Sequence, residues 1–199
     1  MLLARQLLVM ESRRVKHHVS LAPLLSLPDE EARQLLALLL RSTFRENPEA
    51  DTTRNAIVGA AGEEAVARWC VAELLAVGHA AIAHQVQRVS VVSDRFGYDV
   101  SAPVVGGGTR KLEVKTTTSP ASKTCQFFLA RHEYEVGRRF PRSWALVACR
   151  MQNEGAIIVG WCRANELERF VPDDANGRWT EALISMPTSS LLPNAPSAV

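Results

Sequence analysis

The feature that most constrains the fold is a run of three glycines at positions 106 to 108, which separates two β-like segments. The segments are GYDVSAPVV (97 to 105) and TRKLEVKTT (109 to 117), and both are rich in residues that favour strands. Glycine adopts positive φ angles without steric cost, so a glycine run between two such segments indicates a tight turn. We therefore expect the two segments to pair as antiparallel neighbours in a sheet.

The segments around this hairpin predict an α/β or α+β fold, with a central mixed sheet flanked by helices. Apolar residues recur every three or four positions from Ala56 to Val77, and Gly78 is placed to end that helix. A strand at 84 to 92 then completes a three-strand meander with the hairpin. The remaining predictions are a strand or loop at 125 to 130, a helix at 131 to 139, and strands at SWALVACRM (143 to 151) and GAIIVGWC (155 to 162).

Three regions are expected along the chain. Residues 1–50 form a helical N-terminal extension, with helices at 2 to 18 and 29 to 44 that are suited to dimerisation or to docking of a partner protein. Residues 51–165 form the main domain, after a polar, linker-like stretch at 45 to 55. Residues 166–199 form a C-terminal extension that we expect to be partly frayed.

Composition places the chain among globular proteins. With 199 residues, 47% of them hydrophobic, it can bury a sizeable core without disulfide or metal support. The four cysteines lack metal-ligand spacing and are expected to be buried free thiols. No apolar run approaches the roughly 20 residues that cross a bilayer, and the start lacks a signal-peptide cleavage site. We therefore expect a cytoplasmic protein with no membrane partner.

Positive charge is concentrated in one segment. Residues 109–150 hold nine Lys and Arg side chains against three Glu, so they are a candidate phosphate-facing surface. A solvated face with acidic partners from other segments explains the same pattern equally well. The nine cations are Arg110, Lys111, Lys115, Lys123, Arg131, Arg138, Arg139, Arg142 and Arg150.

The hairpin also brings together three residues that together suggest chemistry. Antiparallel pairing across the glycine turn places Asp99 near Glu113, and Lys115 shares the strand face of Glu113 because the two residues are two positions apart. Two converging carboxylates suit a hard divalent cation such as Mg²⁺ or Mn²⁺. An ammonium beside that cation can orient a water nucleophile or offset phosphate charge. The alternative is a surface cross-strand ion pair with no function of its own.

Around these residues the sequence resembles a known superfamily. Segments GAAGEEAV (59 to 66), VSVVSDRFGYDVSA (89 to 102), RKLEVKTT (110 to 117) and FFLARHE (127 to 133) are similar to the PD-(D/E)XK nuclease superfamily. Within it they most resemble the branch found at the C-terminus of the plant protein NO VEIN and in many bacterial defence-associated proteins. The resemblance spans roughly residues 55 to 165, implies a restriction-endonuclease-like core and leaves the first 50 residues unexplained.

The resemblance implies roles for individual residues. Asp99 and Glu113 match the metal ligands, Lys115 matches the catalytic lysine, and Glu63, or else its neighbour Glu64, matches a glutamate beside the metal. Gln126, Arg131 and Glu133 lie in a region that matches a polar motif of this branch, which implies that they contact phosphate or buttress the site. Tyr98 replaces the proline of the superfamily name, and Ala130 and His132 replace the Ser and Asn usual in this branch. Nucleic acid contacts are expected from Lys111, Lys123, Gln126, Arg131, Arg138 and Arg139.

The function implied by this resemblance is a Mg²⁺- or Mn²⁺-dependent endonuclease acting on DNA, in bacterial defence, restriction or the processing of mobile DNA. The sequence leaves open whether the strand is DNA or RNA, and single or double. Two alternatives remain: a non-catalytic module that binds nucleic acid or protein, and an accessory subunit that is active only with a partner.

Overall fold

The computed structural model describes residues 48–92, 94–153, 155–174 and 178–197. The chain divides into two compact units, Met1–Thr53 and Arg54–Val199. The predicted helices at 2 to 18 and 29 to 44, with the dimerisation or docking role expected of them, lie outside the described residues.

Four helices and seven strands make up the described part of the chain. The helices are α1 (Pro48–Ala76), α2 (Ala80–Ala83), α3 (Arg131–Arg139) and α4 (Ala164–Leu167). The strands are β1 (Gln87–Arg88), β2 (Val100–Pro103), β3 (Thr109–Thr117), β4 (Thr124–Ala130), β5 (Trp144–Gln152), β6 (Gly155–Cys162) and β7 (Glu181–Pro187). Short 3₁₀ turns occupy Asp94–Phe96 and Thr188–Ser190.

The strands form a mixed five-stranded sheet in the order β1-β2-β3-β5-β6 and a separate two-stranded sheet of β4 and β7. Strands β1, β2 and β3 are an antiparallel meander, as predicted, and the three glycines between β2 and β3 all have positive φ. Strand β3 then pairs in parallel with β5, after the chain has passed through β4 and α3. The mixed α and β architecture expected from the sequence is confirmed.

Apolar side chains fill both faces of the five-stranded sheet. On one face, Val66, Cys70 and Leu74 recur every four residues along α1 and are fully buried. On the other face, α3, β4 and β7 cover a second core. Strand β5 is central and buried on both faces, which explains why its sequence is apolar without alternation.

Several predicted boundaries differ from the structure at the start of the domain. Helix α1 already includes Pro48, eight residues before the expected start at Ala56, so most of the expected linker is helical. The strand predicted at 84 to 92 shrinks to Gln87–Arg88 because the chain turns at Val89, whose carbonyl accepts the Val92 amide.

The C-terminal part of the chain adds two features to the central mixed sheet. Strand β7 pairs with β4 along its whole length, so the doubtful 125 to 130 segment is a strand of a second sheet. Beyond it, Leu191, Ala195 and Pro196 are buried, and Leu192 bridges to Trp161 of β6. The apolar residues of this proline-rich tail are few, but they are sufficient to pack it against the domain.

Candidate metal and phosphate site

The β2–β3 register places Asp99 and Glu113 opposite each other. Val100 pairs with Leu112, and the Asp99 amide donates to the Leu112 carbonyl oxygen at 2.9 Å. The next pair in this register is Asp99 with Glu113, and residues opposite each other in an antiparallel pair share a face of the sheet. Asp99 Oδ2 also accepts the Val114 amide at 2.7 Å, which fixes its carboxylate beside β3.

Lys115 joins this pair and links it to helix α3. Its Nζ lies 2.8 Å from Glu113 Oε1 and 2.8 Å from Glu133 Oε2. Glu133 Oε2 also accepts the Ala130 amide at 2.8 Å, at the start of α3. Glu133 therefore buttresses the site through Lys115, which is one of the two roles that the sequence suggested for it. We call Asp99, Glu113, Lys115 and Glu133 the acidic cluster.

The structure distinguishes Glu63 from Glu64. Glu63 Oε2 accepts hydrogen bonds from Arg88 Nη2 and Ser90 Oγ, both at 2.7 Å, and its side chain is 15% exposed. The Glu64 side chain is 51% exposed and lies 3.9 Å from the Arg88 guanidinium. Glu63 is also near enough to raise the pKa of Asp99. Of the two glutamates, Glu63 faces the acidic cluster.

Burial is the main influence on the pKa values of the two paired carboxyl groups, Asp99 and Glu113. Desolvation raises the pKa of Asp99 to about 6, against the hydrogen bond from Val114, which lowers it. Burial likewise raises the pKa of Glu113 well above its usual value, and the charges of Asp99 and Glu133 add to the rise while Lys115 opposes it. Perturbed carboxylates of this kind are typical of functional sites.

The lysine is held in its charged form. Burial lowers the pKa of Lys115, but the neighbouring carboxylates of Glu113 and Glu133 outweigh burial and raise it above its usual value. At neutral pH the side chain is therefore an ammonium that donates hydrogen bonds, not an amine that accepts a proton.

The acidic cluster fits a hard divalent cation. Three carboxylates surround one ammonium, and no second cationic side chain belongs to the cluster. Glu113 is buried, whereas Asp99 and Glu133 are half-buried. Carboxylate oxygens are the ligands that Mg²⁺ and Mn²⁺ prefer. Among residues 48–92, 94–153, 155–174 and 178–197, no group of three or more His, Cys, Asp and Glu is arranged to hold a metal. Asp99 and Glu113 supply two carboxylates, and proteins commonly bind Mg²⁺ through one or two carboxylates while the ion keeps several waters.

The residues predicted to contact nucleic acid differ in their surroundings. Lys111 lies over the rings of Tyr98 and Phe140, at 5.4 and 5.0 Å from their centroids. Arg131 is engaged by Glu135 and by both oxygens of Asp174. The other four predicted contacts are exposed, and among them Arg139 lies over the same Phe140 ring as Lys111. The four are Lys123, Gln126, Arg138 and Arg139.

One cation of the basic segment is not available to phosphate. Arg110 is 3% exposed, its Nη1 lies 2.7 Å from Glu73 Oε2, and it donates to the Pro196 carbonyl oxygen. The sequence does predict this burial. Side chains alternate between the two faces of β3, so Arg110 lies on the inward face with Leu112, whereas Lys111 lies on the opposite face. Reasoning from the count of charges alone overlooked this alternation.

Sequence reasoning also overlooked Arg88 and Ser90, which hold Glu63. Both were expected in a longer strand with no role in the site. Only the pairing of Arg88 with Val100 brings them beside α1, and no local motif reports that pairing.

Comparison with known protein families identifies one match. Residues 62–157 match the family model described as Protein NO VEIN, C-terminal. The matched segment contains all four residues of the acidic cluster and Glu63. No curated protein and no solved structure matches the chain. Within the described residues, no helix is both long enough and apolar enough to span a membrane.

Proposed function

We propose that this domain, which matches the NO VEIN C-terminal family model over residues 62–157, is a metal-dependent endonuclease that hydrolyses DNA phosphodiester bonds. The observation that carries the proposal is the acidic cluster, in which the half-buried Asp99 and the buried Glu113 face one another across two strands beside a single lysine. A solvated surface ion pair needs no such burial, since an exposed pair contributes only about 0–1 kcal/mol. The likeness to the PD-(D/E)XK nuclease superfamily supports the same reaction.

In this proposal Asp99 and Glu113 hold the cation, and Mg²⁺ or Mn²⁺, when bound, supplies Lewis-acid polarisation of the phosphodiester. Lys115 places a positive charge at the same point. Since its pKa is raised, Lys115 acts by donating a hydrogen bond to a phosphate oxygen or to the attacking water. Glu133 is a positioning residue because it acts through Lys115.

The proposed setting is bacterial defence, restriction or the processing of mobile DNA, as the family resemblance implies. DNA is the proposed substrate. Single-stranded RNA belongs in the same assay, since the cluster recognises a phosphodiester and carries no feature that distinguishes the sugars.

The test is cleavage of supercoiled plasmid, single-stranded DNA and single-stranded RNA with Mg²⁺ or Mn²⁺. Wild type is compared with Asp99→Asn and Lys115→Gln, and Glu64→Gln serves as the matched control because that side chain is half exposed beside the site. We expect both cluster variants to lose activity at least a hundredfold while Glu64→Gln keeps it. Equal activity in wild type and Lys115→Gln would overturn the assignment.

A non-catalytic module that binds nucleic acid is the second candidate. It is favoured by the two ion pairs that already engage Lys115. Absence of cleavage by folded wild type, together with salt-sensitive DNA binding, would support this candidate or an accessory subunit that requires a partner.

A further inference from the structure

A polar cleft of about 370 Å³ opens at the carboxyl ends of β3 and β5, between these strands and the β4–β7 sheet. Hydroxyl groups dominate its walls, together with one amide and one guanidinium. None of the described residues that line it is acidic. The side chains used below are Thr117, Ser122, Gln126, Arg150 and Cys125. A site with many hydroxyls, one cation and no carboxylate is suited to an anionic, oxygen-rich ligand.

The cleft lies on the same face of the sheet as the acidic cluster. In the parallel β3–β5 register Lys115 pairs with Ala148 and Thr117 pairs with Arg150. Side chains two positions apart on a strand share a face, so Thr117 and Arg150 follow Lys115 after a step of about 7 Å. The cleft therefore continues the acidic cluster along the direction of β3.

The Arg150 guanidinium has no hydrogen-bond or ion-pair partner among the described residues. Its side chain is half-buried on the cleft wall, and no residue in the described part of the chain accepts a hydrogen bond from it or forms an ion pair with it. Arg110 and Arg131, in the same basic segment, are neutralised by Glu73 and by Asp174. A half-buried guanidinium with free donors is suited to bidentate recognition of phosphate.

Two hydroxyl groups of the cleft can each donate a further hydrogen bond. Thr117 Oγ1 accepts the Ser119 amide at 3.1 Å, and Ser122 Oγ accepts the Thr124 amide at 3.2 Å. Each hydroxyl uses a lone pair in this way and keeps its hydrogen for a further acceptor. Phosphate and sugar oxygens of a nucleic acid strand are acceptors of this kind.

We propose that this cleft binds a phosphate group of the nucleic acid strand next to the phosphodiester at the acidic cluster, with Arg150 as the principal contact. The inference rests on the proposed function, since it places the strand that the nuclease site would cut. It also adds Arg150 to the nucleic acid contacts predicted from the sequence. Of those predicted contacts, only Gln126 is among the described residues that line the cleft.

The experiment measures binding of a fluorescein-labelled single-stranded oligodeoxynucleotide to the full chain by anisotropy, in EDTA and at several salt concentrations. The variants are Arg150→Gln and Arg150→Lys. The matched control is Arg142→Gln, since Arg142 is an exposed arginine of the same basic segment just before the other end of β5. Thermal unfolding shows whether each variant is folded, and Arg150→Lys keeps the charge should Arg150→Gln not fold.

We expect Arg150→Gln to weaken binding about tenfold or more and to reduce the slope of log K against log salt by about 0.7. Arg150→Lys keeps the slope but loses affinity, because an ammonium lacks the bidentate geometry. Arg142→Gln changes affinity by less than about twofold. Bound oligonucleotide also slows alkylation of Cys125, whose thiol lines the cleft. Equal affinity of Arg150→Gln and Arg142→Gln would overturn the proposal.

Inorganic phosphate provides a second measurement. If phosphate raises the unfolding temperature of wild type but not of Arg150→Gln, while oligonucleotide binding is unchanged in that variant, the cleft serves a small phosphate ligand and the strand proposal is wrong. Because binding is measured without a divalent cation, it does not depend on cleavage. If Arg150→Gln loses oligonucleotide binding and wild type shows no cleavage, the phosphate subsite is supported and the proposed nuclease activity is rejected.

Discussion

Gly62 of helix α1 lies directly against Thr116 of strand β3. A Cβ atom on Gly62 would clash with Thr116 Oγ1 and would stand 3.3 Å from Val114 Cγ1. Only a glycine allows the helix to approach the strand so closely. The next residue of the helix is Glu63, which reaches Arg88 and Ser90 beside the acidic cluster. The contact of Gly62 with β3 thus sets the position of Glu63.

Substitution Gly62→Ala is expected to lower the free energy of unfolding by about 1–3 kcal/mol, the usual cost of overpacking. Gly59→Ala, three residues earlier on the same helix, is the matched control because its added Cβ would meet nothing within 4 Å. That control is expected to raise stability by about 0.5–1 kcal/mol, since alanine favours helix over glycine. Urea denaturation measures both.

A double-mutant cycle tests the contact itself. Thr116 Oγ1 is buried and has no hydrogen-bond partner, so Thr116→Ala removes the clashing atom without breaking a hydrogen bond. We expect Gly62→Ala to cost less in the Thr116→Ala background, with a coupling energy of about 1 kcal/mol or more. An unchanged cost would mean that the helix meets the sheet elsewhere.

The raised pKa of Asp99 predicts a pH-dependent stability. The pKa is about 6 in the folded protein against an ordinary value of 3.8, so the folded state binds this proton more tightly than the unfolded state does. The contribution of Asp99 to stability is therefore fully present below about pH 4 and is lost as the pH rises to about 6. Asp99→Asn is expected to be more stable than wild type at pH 7.5, by up to about 3 kcal/mol, and similar to it at pH 4.

Chemical denaturation across this pH range measures the effect. Glu64→Gln removes an exposed carboxylate close by and should leave the wild-type pH profile unchanged. An Asp99→Asn protein that follows the wild-type profile between pH 4 and 6 would show that Asp99 keeps its ordinary pKa.

Local sequence signals predicted much of the five-stranded sheet. The glycine run marked the β2–β3 turn, and the polar segment at 131 to 139 and the two apolar runs after it became α3, β5 and β6 within a residue of their expected ends. These signals are local, because each helix or strand buries one or both faces and its apolar residues therefore recur with a fixed period. The β4–β7 pairing is 51 or more residues apart in sequence and involves two short segments, so no local period reports it.

The site was predictable in part for the same reason. Asp99 and Glu113 lie opposite each other because one hairpin joins them, and Lys115 follows by strand alternation. Glu63 needed the packing of Gly62 to distinguish it from Glu64. In the sequence, Arg150 was one of nine cations and no local feature distinguished it. It is distinguished only by the cleft around it and by the ion pairs that other arginines of the segment form, and both depend on the three-dimensional structure.

Burial of Arg110 predicts a role in stability instead of nucleic acid binding. Its guanidinium pairs with Glu73 and donates to the Pro196 carbonyl oxygen, which ties the C-terminal extension to β3. Arg110→Ala is expected to cost about 3–5 kcal/mol in free energy of unfolding, because it leaves a buried carboxylate with one partner fewer. Arg142→Ala, an exposed arginine of the same segment, should stay within about 0.5 kcal/mol of wild type. Similar costs in urea denaturation would contradict the assigned role.

A divalent cation at the acidic cluster is expected to stabilise the folded protein at neutral pH. Binding to the folded state alone raises the free energy of unfolding by RT ln(1 + [L]/Kd), about 1.4 kcal/mol when the free cation is at ten times its Kd. Scanning calorimetry with Mg²⁺ or Mn²⁺, against KCl of equal ionic strength, measures the shift.

At pH 5, below the pKa of about 6 for Asp99, a protonated carboxyl group binds the cation poorly and the shift should largely vanish. Asp99→Asn should lose the shift at pH 7.5 and Glu64→Gln should keep it. Equal shifts in wild type and Asp99→Asn would place the cation elsewhere on the protein.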